Sequence, residues 1–143
     1  MVQGLFVFLI TLFTFKIAEA QFVKNLGGDH GASIFKQRAY LFIQENCEAC
    51  ESSLHQLRAC SLKIRSRMNL VILESETWAL NKIKSEEVQK IQFQSMNFMT
   101  FEEAKKINVR GTPTYLIGQM SELKPLSCRE IEKQQAALEK VNL

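Results

Sequence analysis

The spacing of apolar positions along the chain changes at Asn46. Before it, AYLFIQ (Ala39–Gln44) is a short apolar block bounded by polar residues, the pattern of a buried strand. Beyond it, apolar residues return at Cys50, Leu54, Leu57, Cys60 and Ile64, at intervals of four and three that give a helix one buried face. NLVILES (Asn69–Ser75) is apolar through its middle and reads as a second strand, covered on both sides. Thr77–Lys90 fits one helix or two short ones, with Trp78, Leu80, Ile83 and Val88 as inward candidates, and Trp78 is expected in the core. IQFQ (Ile91–Gln94) alternates like a strand. TFEEAKKI opens with Thr100 and carries Glu103 three residues on, a capping-box pattern that starts a short helix. PTYLIG (Pro113–Gly118) reads as a strand against which Ser121–Leu126 pairs back. SCRE then begins a final helix, with Ser127 as cap and Glu130 in the reciprocal position.

Strands alternating with helices predict parallel pairing through crossovers, and the strand pair near the end adds an antiparallel edge. The expected class is therefore α/β: a three-layer fold with a central mixed sheet and helices on both faces. The pattern stops short of the first residues. LFVFLITLFTF (Leu5–Phe15) is too short to span a bilayer comfortably, and Ala18-Glu19-Ala20 puts small residues where a signal peptidase cuts. Residues 1–20 are thus expected to be a signal peptide, residues 21–38 (with GGDHGAS) a flexible lead-in, and residues 39–143 one domain. An uncleaved leader is the only membrane contact this reading allows.

Charge changes the picture little. The chain carries +3, and losing Lys16 and Glu19 with the leader leaves that balance unaltered. This is too weak to argue for a nucleic-acid partner; KIRSR (Lys63–Arg67) reads as a solvated face. Cysteine usage changes it more. Cys47, Cys50, Cys60 and Cys128 all follow the leader, and export to an oxidising compartment makes disulfides possible. The periplasm is the expected location, with a secretory lumen or the medium as alternatives.

NCEAC (Asn46–Cys50) carries the chemistry. Asn46 is a good N-cap residue, which would set Cys47 in the first helical turn and Cys50 one turn on, on the same side. A sulfur in the first turn meets unpaired N–H groups and the positive end of the helix, which favours its thiolate. Cys47 is the candidate nucleophile. Cys50, on the apolar stripe, is the candidate resolving thiol. Glu45, Glu48 and Glu51 oppose the thiolate, so a reducing rather than strongly oxidising pair is expected. A zinc site would need more ligands in recognisable spacing than His55 and the lone Cys60 supply, so no metal and no cofactor is expected. An inert structural staple is the alternative for the pair.

Downstream, NVRGTPTYLIG (Asn108–Gly118) places proline at the head of a strand behind Gly-Thr. With the strand and C-x-x-C helix upstream, this order resembles the thioredoxin-like family over residues 39–143. The resemblance implies that Cys47 attacks and Cys50 resolves. It implies that Pro113 follows a cis bond lying against the cysteine pair, and that Thr112 offers its backbone to a bound substrate chain. Two positions depart from the family pattern: Asn46 stands where an aromatic residue is common, and Leu41 where a buried acid often stands.

The reading that follows is an exported thiol–disulfide oxidoreductase, monomeric, whose partners are disulfide- or thiol-bearing exported proteins and a redox partner protein. Its alternatives are a non-enzymatic peptide-binding module of the same fold in a secretion or surface-assembly system, and a disulfide-stapled binding protein. The inferred topology puts Cys60 at the far end of the first helix and Cys128 near the cysteine-pair end. Cys60 is therefore expected to be a buried free thiol, and Cys128 an unpaired thiol at a helix start.

Overall fold

Strand β1 (Ala39–Gln44) sends alternate side chains to opposite faces of a sheet, and both faces are buried. Ala39, Leu41 and Ile43 join one core cluster, while Tyr40 and Phe42 join another. The computed structural model describes residues 37–141. The expected signal peptide and nearly all of the expected lead-in lie outside the described residues.

The chain continues through α1 (Glu48–Ala59), α2 (Leu62–Arg65), β2 (Met68–Leu73), α3 (Glu76–Lys84), α4 (Glu86–Ile91), β3 (Ser95–Met99), α5 (Phe101–Lys106), β4 (Thr114–Ile117), β5 (Met120–Glu122) and α6 (Cys128–Val141). The sheet has five strands in the order β3-β2-β1-β4-β5. β1, β2 and β3 run parallel, and β4 and β5 are antiparallel to their neighbours. This is the expected α/β class with a mixed sheet. Helices α1, α2, α4 and α6, with Ala79 of α3, cover the face of Leu41 and Ile43. Ala104 of α5, with Val109, covers the face of Tyr40 and Phe42. All six residues of β2 are buried, as its unbroken apolar run requires.

Several boundaries differ from expectation. The buried stripe from Cys50 to Ile64 is real, but two helices carry it: α1 stops at Ala59, Cys60 is extended, and α2 restarts after Ser61. Thr77–Lys90 is likewise divided at Ser85, which ends α3 and caps α4 through its hydroxyl. Ala79 and Val88 are the fully buried positions there, whereas Trp78, Leu80 and Ile83 are half-buried. IQFQ is not a strand. Val88 and Ile91 share one buried helical face, Gln92 takes a left-handed conformation that ends α4, and the strand follows at Ser95. β5 is short, pairing Met120, Ser121 and Glu122 with Ile117, Leu116 and Tyr115 before the chain leaves the sheet. The two capping boxes are present. The Thr100 and Glu103 side chains accept from each other's backbone N–H, and Ser127 and Glu130 do the same.

The expectation of two unpaired thiols is overturned. Cys60 and Cys128 form a disulfide, with alpha carbons 5.5 Å apart. The expected strand Ser121–Leu126 would have carried α6 back to the Cys47 end. Instead residues 123–127 lie outside any strand. Pro125 has no N–H for a ladder, and Leu126 drops into the core beneath α6. Helix α6 therefore begins beside the C-terminal end of α1, where the Cys128 sulfur lies 3.9 Å from the Gln56 carbonyl. Cys60 is buried as expected, but bonded.

Candidate functional site

Parallel strands end on the same side of a sheet, and β1 and β2 are in register from Ala39–Met68 to Gln44–Leu73. The helices that follow them, α1 and α3, consequently start at the same edge. Cys47, Trp78 and the loop before β4 meet there. Cys47, not Asn46, is the N-cap of α1. Asn46 has a φ of 57°, a left-handed conformation that asparagine tolerates, and so turns the chain out of β1. The Cys47 sulfur accepts from the Cys50 N–H at 3.1 Å, as a serine cap would.

Cys47 and Cys50 form a disulfide. Their environments differ: Cys47 is half-buried at the edge, and Cys50 is 1% exposed in the core. The Thr112–Pro113 bond is cis, and Thr112 reaches the cysteine pair. The Cys47 sulfur lies 3.7 Å from the Thr112 carbonyl oxygen and 3.6 Å from its hydroxyl. Opened to a thiolate, Cys47 would face two donors, the Cys50 N–H and the Thr112 hydroxyl. All four expected site residues, Cys47, Cys50, Thr112 and Pro113, are thus brought together.

The mouth beside Cys47 is a shallow depression of about 530 Å³ lined by Glu45, Asn46, Cys47, Glu48, Glu51 and Trp78. Trp78, expected in the core, only partly packs on it and forms one wall. Lys82 bridges this rim to the helices behind it. Its ammonium sits 5.7 Å over the Trp78 ring and pairs with Glu51 at 2.7 Å and Glu87 at 3.2 Å. Burial works against the Lys82 charge, but the two carboxylates outweigh it and raise the lysine above its ordinary range. The sequence does contain the signal for Trp78: a tryptophan in the first turn after a parallel strand belongs at the strand-end edge.

His55 is exposed on α1. Among the described residues, no group of three or more histidine, cysteine or carboxylate side chains is arranged to hold a metal ion. No helix among them is long and apolar enough to cross a membrane. Neither a family model, nor a curated protein, nor a solved structure matches the chain.

Proposed function

We propose that this protein is an exported thiol–disulfide oxidoreductase of the thioredoxin-like kind, with residues 1–20 as its signal peptide and residues 39–143 as its catalytic domain. The observation that carries the reading is the contact between the Cys47 sulfur and Thr112 beside the cis-proline. It joins a half-exposed sulfur at a helix start to a strand-head backbone that can accept an extended chain.

In the reducing direction, the Cys47 thiolate attacks one sulfur of a client disulfide. A Cys47–client bond forms, the client's own S–S bond breaks, and its second sulfur leaves and takes up a proton. Cys50 then attacks the Cys47 sulfur, closing the Cys47–Cys50 disulfide and releasing the client as a dithiol. A redox partner protein returns the pair to the thiol form, and no metal or cofactor takes part. The Thr112 hydroxyl and the Cys50 N–H steady the thiolate before attack. The protein acts as a monomer on exported proteins, in the periplasm or another oxidising compartment.

The test is reduction of insulin disulfides with dithiothreitol as donor. The protein should accelerate it many-fold, Cys47→Ser should abolish the effect, and Cys50→Ser should trap a mixed disulfide. No acceleration by the native chain would overturn the reading in favour of a peptide-binding module.

A further inference from the structure

Two buried hydroxyls lie behind the cysteine pair, outside the chemistry above. Ser53 follows Cys50 by three residues on the buried side of α1, a spacing that sets their beta carbons about 5–6 Å apart. Tyr115 enters the same core layer from β4, where it stands opposite Leu41 in register. Both side chains are fully buried. Among the described residues neither hydroxyl completes a hydrogen bond of ordinary geometry. Burial raises the Tyr115 phenol, and Ser53 offsets part of that rise.

An orphaned hydroxyl in an apolar core is destabilising, and alanine and phenylalanine would pack these positions without that cost. Two such groups beside a buried sulfur, Ser53 one helical turn from Cys50 and Tyr115 in the same core cluster from β4, point to a state in which the sulfur needs donors. That state is the one after the disulfide opens. A buried thiol resists ionisation because its anion loses hydration, and the residues β1 sends into its core cluster, Ala39, Leu41 and Ile43, are all aliphatic. The charged Glu45, Glu48, Glu51 and Lys82 stand on the outer side, and Cys47 occupies the edge.

We propose that the Ser53 and Tyr115 hydroxyls are positioning groups for the resolving step, donating hydrogen bonds toward the Cys50 sulfur once the disulfide is open and so stabilising its thiolate. The inference rests on the oxidoreductase reading and deepens it. In the step served, Cys50 loses its proton and attacks Cys47. The Cys47–Cys50 bond forms, the Cys47–client bond breaks, and the client sulfur leaves and takes up one proton. Electrons are exchanged among the three sulfurs only.

The test separates attack from resolution. Full-length protein, reduced at the Cys47–Cys50 pair alone as verified by mass, is mixed with 5,5′-dithiobis(2-nitrobenzoate) in a stopped-flow instrument across a pH series. The first nitrothiobenzoate released reports attack by Cys47, and the second reports resolution by Cys50. Tyr115→Phe and Ser53→Ala should leave the first phase within about two-fold. They should slow the second by roughly ten-fold at pH 7 and move its pH midpoint upward by about one unit, the size of a hydrogen bond to a charged group. A second phase unchanged in rate and midpoint in both variants overturns the inference, whatever happens to their thermal stability. If either variant fails to fold, the other decides. A native protein that releases only one equivalent overturns the oxidoreductase reading itself, and this inference with it.

Discussion

Tyr115 carries its phenol in the layer between β4 and α1, where burial pushes its pKa up to about 12, with Ser53 offsetting this in part. The folded state therefore holds the proton more tightly than the unfolded chain does. The stability this contributes is complete below the ordinary tyrosine value of about 10 and is lost as pH rises through the folded value. Unfolding free energy, measured by urea titration, should fall by about 2–3 kcal/mol between pH 10 and pH 12 on account of this residue. Tyr115→Phe should flatten that part of the decline, and a variant with the native slope would show that the phenol does not titrate with folding. At this scale the sequence was legible where a residue's chemistry is local. Cys47 and Cys50 were identifiable because helical spacing alone makes one an edge position and the other a core position. Asn46 was misplaced by one residue, since asparagine is favoured both at an N-cap and in a left-handed turn, and only the path of β1 decides between them. Tyr115 and Ser53 gave no signal, because a strand tyrosine and a helix serine are ordinary until the fold buries both hydroxyls in an apolar core.

Among the elements, α1 and α6 are tied by a covalent bond as well as by packing. The Cys60–Cys128 bridge spans 68 residues and joins the C-terminal cap of α1 to the first residue of α6. Closing a loop of that length restricts the unfolded chain by about 4 kcal/mol in the chain-entropy view. The paired substitution Cys60→Ala, Cys128→Ala should lower unfolding free energy by about 2–5 kcal/mol. Insulin reduction at a temperature where the variant stays folded should be retained, because this bridge lies at the other end of α1 from Cys47. Loss of activity in a folded variant would place the second disulfide in the redox chemistry. The bridge could not be read from the chain because its partners are set by where β5 stops. Capping boxes at Thr100 and Ser127 are four-residue signals and were legible. The length of β5 depends instead on pairing with β4 and on Leu126 finding the core, neither of which is a local property. The same reason explains β3: Ile91 continues the helical face of Val88, and a strand reading of IQFQ ignored that longer periodicity.

For the molecule as a whole, parallel strands gather helix starts, and with them partial positive charge, at one edge, while the sequence adds carboxylates there. Glu45, Glu48 and Glu51 rim the mouth beside Cys47. A carboxylate roughly 7 Å from a thiolate opposes it by about 0.6–1 kcal/mol in water-like surroundings. A helix terminus favours the thiolate by a similar amount. Lys82 shifts this balance, since it holds Glu51 at 2.7 Å while resting on Trp78. One of the three charges is thereby largely neutralised, whereas among the described residues Glu45 and Glu48 enter no ion pair. The rate of iodoacetamide alkylation of Cys47 in the reduced protein reads this out, because only the thiolate reacts. At pH 7 and low salt, Glu48→Gln should raise the rate about two- to five-fold, and Lys82→Gln should lower it by a comparable factor. Both effects should shrink as ionic strength rises, since the groups lie near the surface. Alkylation that ignores both substitutions would mean that the helix terminus and Thr112 alone set the reactivity. Alkylation already maximal at pH 5 would make the pair a strong oxidant rather than a reductant, because a thiolate that stable favours the open form of the disulfide.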